Sequence, residues 1–391
     1  MKKLRIHVIN KYFYPVAAGI EINALNTYDF MAKKGWDITV HTSRDTLNEK
    51  NVLSNFEKIN GLNVKRYQFG KFGFNHKINW ENTDILILHN FDMFPHFFIL
   101  FNCFIKKILG RKKFSLILST HGGLTPDWRT FPRRIRIIKK TYHKTLGVFL
   151  INKTVDGVRA VSDWEKGEIK KLGVHPNLIT VINNGVEDDS FLNLEKLASK
   201  RIKSLVSENK PYIIQIGRIH PIKNYETAIT ALAESPNLNY LIAGPDQDTL
   251  YRMKLENIVK ELKLEKRVKF LGVIRGVDKY YLIKNAELMA HMATCESFCN
   301  AVHEGMSQGL VCIVSNRTAL PYLVKDGVNG FVLDAYNHEA LAKKIKFVLE
   351  NKNSPEIKAM QKRNIQFAKN HSWENVAKKV ERFYLEILTQ K

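Results

Sequence analysis

Short apolar runs alternate with segments of helical period along the whole chain. In the first half, LRIHVIN (4–10), DITVHTS (37–43), NVKRYQF (63–69), DILILHN (84–90), FSLILSTH (114–121), GVRAVS (157–162) and ITVINNG (179–185) predict strands. A second series begins at YIIQIGR (212–218). It continues through LNYLIAG (238–244), VKFLG (268–272), LMAHMA (288–293), VCIVSN (311–316) and GFVLDA (330–335). Helical patterns fill the gaps, for example at 247–262 and 338–350. This alternation predicts an α/β architecture with mainly parallel sheets. The polar stretch between the two series, 186–210, lacks strand character, and an interdomain linker is expected there.

The 391 residues suit two domains of ordinary size. A content of 45% hydrophobic and 25% charged residues excludes a disordered chain. The longest apolar stretch, FPHFFILFNCFI (94–105), is too short to span a bilayer, and it is expected as helix core or a lipid-facing surface. The start, MKKLRIHVINKYFYP, reads as a first strand rather than a signal peptide. Four cysteines are too few for a disulfide scaffold, so a reducing cytoplasm is expected. Cys295 and Cys299 alone make a weak metal pattern, and no metal is expected.

The net charge of +23 implies an anionic partner. Its excess sits in KKILGRKK (106–113) and PRRIRIIKKTYHK (132–144), neither of which contains an acid. Arg133, Arg136, Lys140 and Lys144 recur at helical spacing, with Ile135 and Ile138 between them. Such a basic amphipathic helix suits an anionic bilayer, although a solvated basic face has the same letters.

Two segments carry candidate chemistry. In IGRIHPIKN (216–224), Gly217 ends a strand and Arg218 and Lys223 follow in the loop that opens the next helix; two cations and a helix N-terminus suit a diphosphate. In ESFCNAVHEGMSQG (296–309), Glu296 precedes a helix expected to start near Asn300. The amides of Cys299, Asn300 and Ala301 would face an anion, and Glu304 could accept two vicinal hydroxyls such as those of a ribose. Glu296 would meet another part of the same ligand, and Val273, after strand 268–272, is grouped with the nucleotide-binding residues. His89 and His291 read as satisfied strand-end residues. PDQD (245–248) fits a D-x-D metal pattern but reads as a helix cap. No dinucleotide G-x-G-x-x-G follows a strand, and no P-loop is present.

These segments resemble the retaining GT-B glycosyltransferases of family 4 (glycosyl transferase group 1). YFYPVAAGIE (12–21) is similar to the family's first glycine loop and STHGG (119–123) to its strand-end His segment. VRAVSDWEKGEIKKLGVHPNLITVINNGVE (158–187) resembles the segment closing the first domain, and VKDGVNGFVLDAYNHEALAKKI (324–345) a D-G-x-N/T-G-F segment. With IGRIHPIKN and E-x7-E, six motifs stand in the family's order. The resemblance implies two Rossmann-like domains facing each other across a cleft: an acceptor-side domain over 1–190, with a C-terminal helix (about 373–391) packing back on it, and a nucleotide-sugar domain over 191–372.

It also implies metal-independent transfer of a hexose-type sugar from a UDP- or GDP-sugar to an acceptor hydroxyl, with no cofactor. Arg218 and Lys223 would stabilise the departing diphosphate and Glu304 would bind ribose. Glu296 would bind the transferred sugar and His121 would lie near its reacting carbon; Gly19 would let backbone approach the phosphates. The sequence departs from the family at Ala18-Gly19, at Cys299 where a glycine is usual, at Glu187, and at RTALPY (317–322), which lacks the usual G-G-x-P-E. With the basic stretches, the expected acceptor is a lipid-linked or lipopolysaccharide-type saccharide, met by a cytoplasmic enzyme peripheral on the inner membrane face. A soluble acceptor, a sugar-nucleotide epimerase and a nucleic-acid-binding protein are the alternatives; no nucleic-acid motif supports the last.

Overall fold

The computed structural model describes residues 4–16, 19–46, 49–71, 73–74, 82–92, 94–235 and 237–390. The chain forms two α/β units: one takes in 1–184 with 373–391, the other 185–372.

The first unit has an eight-stranded sheet. Its order is Ile179–Val181, Gly157–Ala160, Ser115–Ser119, Ile85–His89, Arg5–Ile9, Asp37–Ser43, Leu62–Tyr67 and Phe56–Ile59. All pairs are parallel except the last, an edge strand whose exposed Phe56, Glu57 and Lys58 gave no alternating signal. The central strands Ile85–His89 and Ser115–Ser119 are buried at every position, as a sheet covered on both faces requires. The period of two divides them: Leu86 and Leu88 join Ile99, Leu100 and Cys103 in one core. Ile85 and Ile87 join Ile6, Val8 and the C-terminal helix Trp373–Thr389 in the other.

That helix buries Trp373, Val376, Val380, Phe383, Tyr384 and Ile387 in this unit at helical spacing. It lies close because strand Gly157–Ala160 begins with glycine: a Cβ on Gly157 would come 2.3 Å from Ile387 Cδ1 and 2.9 Å from Phe383 Cζ. The apolar stretch at 94–105 becomes helix His96–Ile108. It buries Ile99, Leu100 and Cys103 and exposes Phe98, Phe101, Ile105 and Ile108. Helix Arg133–Tyr142 leaves Ile135, Ile137 and Ile138 exposed.

The second unit has a fully parallel sheet in the order Val268–Phe270, Asn239–Ala243, Tyr212–Ile216, Leu288–His291, Cys312–Ser315 and Gly330–Leu333. The order reverses between Tyr212–Ile216 and Leu288–His291, and ligands of such sheets bind at the carboxyl ends beside that reversal. The stretch 186–210, read as a linker, instead folds into this unit as helices Leu194–Leu197 and Lys200–Asn209. Leu194, Ile202 and Val206 are buried while Phe191, Leu192 and Leu197 stay exposed, and Asn193 and Ser199 cap the two helices. Among the described residues, no helix is long and apolar enough to cross a membrane.

Candidate functional site

In the second unit, strand Tyr212–Ile216 ends at Gly217. The neighbouring strand ends at Gly244 (φ +159°), where a Cβ would lie 1.9 Å from the Gly217 carbonyl oxygen, so only glycine lets the two ends touch. After the turn, His220 caps the short helix Pro221–Lys223 and Asn224 takes a left-handed conformation (φ +48°). The buried Asn224 amide donates to the carbonyls of Met292 (3.0 Å) and Ala335 (2.6 Å). Gln215 donates to the Lys223 carbonyl at 3.0 Å. These bonds fix the lysine's backbone against the exit of strand Leu288–His291.

Lys223 Nζ lies 2.5 Å from Glu296 Oε1, and the same oxygen is 2.9 Å from His291 Nε2. Cys299 Sγ is 3.3 Å from that ring nitrogen. Burial works against an ionised Glu296, but the Lys223 ammonium and the His291 bond outweigh it and hold the carboxyl well below its usual range. Burial keeps His291 neutral, its pKa lowered despite the pull of Glu296. The main chain of Glu296 is held by the divergent 317–322 stretch. Its N–H donates to Thr318 Oγ1 at 2.8 Å, and its carbonyl accepts from the Ala319 N–H at 3.2 Å. The departure from the family pattern therefore lies in direct contact with the residue assigned to the sugar.

Cys299 precedes helix Asn300–Ser307 in a left-handed conformation (φ +82°), which a side chain rarely adopts. Asn300 and Ala301 open the helix, as the sequence predicts. Glu304 forms a separate ionic group: Lys279 Nζ lies 3.0 Å from Glu304 and 2.6 Å from Glu187. Burial raises the Glu304 pKa, Lys279 draws it down and Glu187 adds to the rise. Burial opposes the charge of Lys279, and the two carboxylates overcome it.

The structure thus brings Gly217, Lys223, Glu296 and Cys299 together. Arg218, beside them in sequence, is exposed and donates to Gln247 at 2.8 Å. Val273 lies half exposed in the loop before helix Gly276–Lys284. Three members of these clusters were missed in the sequence. Lys279 carries no local signal, Glu187 stood only as a conservative change after N-G-V, and His291 was read as a satisfied strand-end residue, although its partners are Glu296 and Cys299 themselves. Asp248 of PDQD caps helix Thr249–Glu261, accepting from the Tyr251 N–H at 2.9 Å. Among the described residues, His291, Glu296 and Cys299 form one group with metal-ligand chemistry, their ligand atoms all within 4.8 Å of one another.

In the first unit, strand Ser115–Ser119 ends two residues short of His121, which takes a left-handed conformation (φ +47°) in the following turn. Glu165 is the reason the turn holds. Its buried carboxylate accepts from Thr120 Oγ1 (2.7 Å), from the Gly122 N–H and from the Val161 N–H (2.7 Å). His121 Nε2 lies 2.9 Å from His89 Nδ1 and 3.0 Å from Ser119 Oγ, and the far nitrogen of His89 meets the buried Tyr28 hydroxyl. Burial drives the His89 pKa down to about 3, and burial with neighbouring His89 and Arg159 lowers that of His121, so this relay is neutral at pH 7. Gly19 opens helix Gly19–Lys33, while Ala18 lies outside the described residues.

Two family models match: "Glycosyltransferase Family 4" over residues 17–190 and "Glycosyl transferases group 1" over 198–371, nearly the whole chain between them. The D-inositol 3-phosphate glycosyltransferase of Mycobacterium tuberculosis is 26% identical over 235 residues, covering 59% of this chain and 49% of that protein. The match thus spans about half the length of that curated relative. Two solved structures share the fold over their full length. A glycosyltransferase from Rickettsia africae has a TM-score of 0.76 at 17% identity, with 100% of this chain covered. Anabaena HepE, solved in complex with UDP and glucose, has a TM-score of 0.74 at 19% identity, with 98% of this chain covered. At these identities the structures speak for the fold, and the two family models identify the chain as a member of the group 1 glycosyltransferases with the GT-B fold.

Proposed function

We propose that this protein transfers a hexose-type sugar, with retention of configuration, from a UDP- or GDP-sugar to a hydroxyl of a lipid-linked saccharide. The observation that carries the reading is the Lys223–Glu296–His291 cluster at the carboxyl end of the central strands, beside the reversal of strand order. A fixed ammonium there suits a departing diphosphate, and an ionised carboxylate beside it suits the hydroxyls of the transferred sugar. Arg218 adds charge to the phosphate loop, and Glu304 takes the ribose. His121, held neutral and immobile, helps place the sugar. The diphosphate accepts the acceptor's proton, so neither a protein base nor a metal cofactor is invoked. HepE, crystallised with UDP and with glucose, supports a nucleotide-sugar donor in this fold.

The lipid-linked acceptor and a peripheral place on the inner membrane face rest on helices His96–Ile108 and Arg133–Tyr142. They expose Phe98, Phe101, Ile105, Ile135, Ile137 and Ile138 amid lysine and arginine. A cavity of about 350 Å³ is lined by Phe69, Phe94, Ile135 and Ile138 with Lys11, Lys71 and Lys139, the last paired with Asp92 in the same wall; apolar with a net basic excess, it suits an acidic amphipathic acceptor. A soluble phosphorylated acceptor is the second reading, favoured by the basic wall of that cavity and by the relative named for D-inositol 3-phosphate.

Calorimetry with UDP, GDP and ADP in EDTA tests the donor. One nucleotide should bind, and Glu304→Ala should weaken it; no binding of any overturns the reading. Flotation with anionic vesicles tests the membrane. Binding that survives neutralisation of Arg133, Arg134 and Arg136 removes that part.

A further inference from the structure

We infer that His291, Glu296 and Cys299 bind a thiophilic divalent cation of the zinc class, and that this cation blocks the site instead of serving it. The first half stands on geometry alone; the second rests on the donor reading above.

The three side chains offer nitrogen, oxygen and sulfur, a donor set that borderline-soft zinc takes in preference to magnesium or calcium. Zinc bonds of about 2.0–2.3 Å in a tetrahedron place neighbouring ligand atoms about 3.4–3.6 Å apart. Here Cys299 Sγ is 3.3 Å and Glu296 Oε1 2.9 Å from His291 Nε2, and the whole set lies within 4.8 Å. Spreading the two His291 contacts by a few tenths of an ångström, with Glu296 and Cys299 brought to the same spacing from within 4.8 Å, admits the ion. Rigid elements supply the ligands: His291 ends a central strand, Cys299 caps a helix, and Thr318 and Ala319 pin the main chain of Glu296.

The proton balance also closes. Sulfur binds the cation as thiolate, so binding sends the proton of the Cys299 thiol to solvent. His291 donates through Nε2 to Glu296, and its buried Nδ1 has no hydrogen-bond partner among the described residues. Metallation of Nε2 moves the ring proton to Nδ1 without breaking a bond there. The cluster already holds one positive charge, the Lys223 ammonium on Glu296 Oε1. An arriving dication displaces that ammonium, and Lys223 and Glu296 side chains that are 13% and 12% exposed give it a way in. Since both residues are assigned to the donor, cation and nucleotide sugar exclude each other.

Cadmium chloride is the probe, read by the thiolate-to-cadmium absorption band in the near ultraviolet. The wild type should saturate at one cadmium per chain through Cys299. Cys299→Gly should lose the band, and it is a variant that fits the left-handed backbone (φ +82°), so its fold is not at risk. His291→Asn should weaken cadmium at least about tenfold. No band in the wild type overturns the site, as does an equal band in Cys299→Gly that only Cys295→Ser removes. The blocking role is read separately on the wild type, as zinc inhibition of transfer that EDTA reverses; transfer that stoichiometric zinc leaves unchanged overturns the block. Cadmium binding needs no nucleotide and calorimetry in EDTA needs no metal. A band without nucleotide binding therefore keeps the site and overturns the block.

Discussion

Replacing Lys223 with methionine removes the ammonium from Glu296 and keeps the length of the aliphatic chain. The pair lies at 2.5 Å with both side chains nearly buried, so water replaces little of what is lost. A hydrogen bond to a charged group contributes about 1.5–3 kcal/mol, and His291 remains to hold the same oxygen. For a unit of this size, each 1 kcal/mol moves Tm by about 2–4 °C, so the second unit's transition should fall by about 3–12 °C at pH 7.

Glu296→Gln should cost a comparable amount. The double variant should fall short of the sum by at least about 1 kcal/mol, because the first change leaves nothing for the second to break. Because Lys223 and His291 hold the Glu296 carboxyl below its unfolded value, its stabilisation is full above about pH 4.3. It is lost as pH falls through the folded pKa, so the gap between wild type and Lys223→Met should narrow from pH 4 towards pH 3. Thermal melts of the four proteins across pH decide the matter. Additive single changes, or a gap that widens in acid, would refute the ion pair.

Other changes test neighbouring parts. Lys223→Ala should lower donor use about ten- to a hundredfold in kcat/KM; normal turnover removes Lys223 from the phosphate site. His303 is buried among Phe298, Phe367 and His371, neither ring nitrogen has a hydrogen-bond partner among the described residues, and burial lowers its pKa to about 3. The unfolded chain therefore takes up a proton between about pH 6.5 and pH 3 that the folded chain refuses, so stability falls as pH falls through that window. His303→Leu should leave the protein as stable or about 1 kcal/mol more stable at pH 7, and flatten the acid limb of a denaturant series by one proton. Gly157→Ala should cost about 1–3 kcal/mol by crowding Ile387 and Phe383, read as a lower melting temperature of the first unit.

The strand series was legible because each central strand is a short run of β-branched and aliphatic residues buried on both faces, so Ile85–His89 and Tyr212–Ile216 announce themselves. Edge strand Phe56–Ile59 did not, since an exposed strand needs no apolar pattern. The stretch 186–210 misled because two short capped helices need only Leu194, Ile202 and Val206 to dock. In the site, Lys223, Glu296 and Cys299 follow strand ends in motifs of fixed spacing, which is why their order could be read. Lys279 reaches Glu304 from a helix 25 positions earlier, and Glu165 reaches the His121 turn across 43–45 positions. Such long-range ion pairs and buried carboxylate clamps leave no local signature. His121's left-handed turn was read as strand because the clamp that bends it lies in another segment.

The helix Trp373–Thr389 has a temporal consequence. A ribosome works from the first residue to the last, so the strands Arg5–Ile9 and Ile85–His89 are made long before the helix that covers their Ile6, Val8, Ile85 and Ile87. Throughout synthesis of the 188 residues between 185 and 372, one face of the nascent sheet waits uncovered. Premature termination anywhere in that span releases a product with a bare aliphatic face, which is prey for proteases and a seed for inclusion bodies.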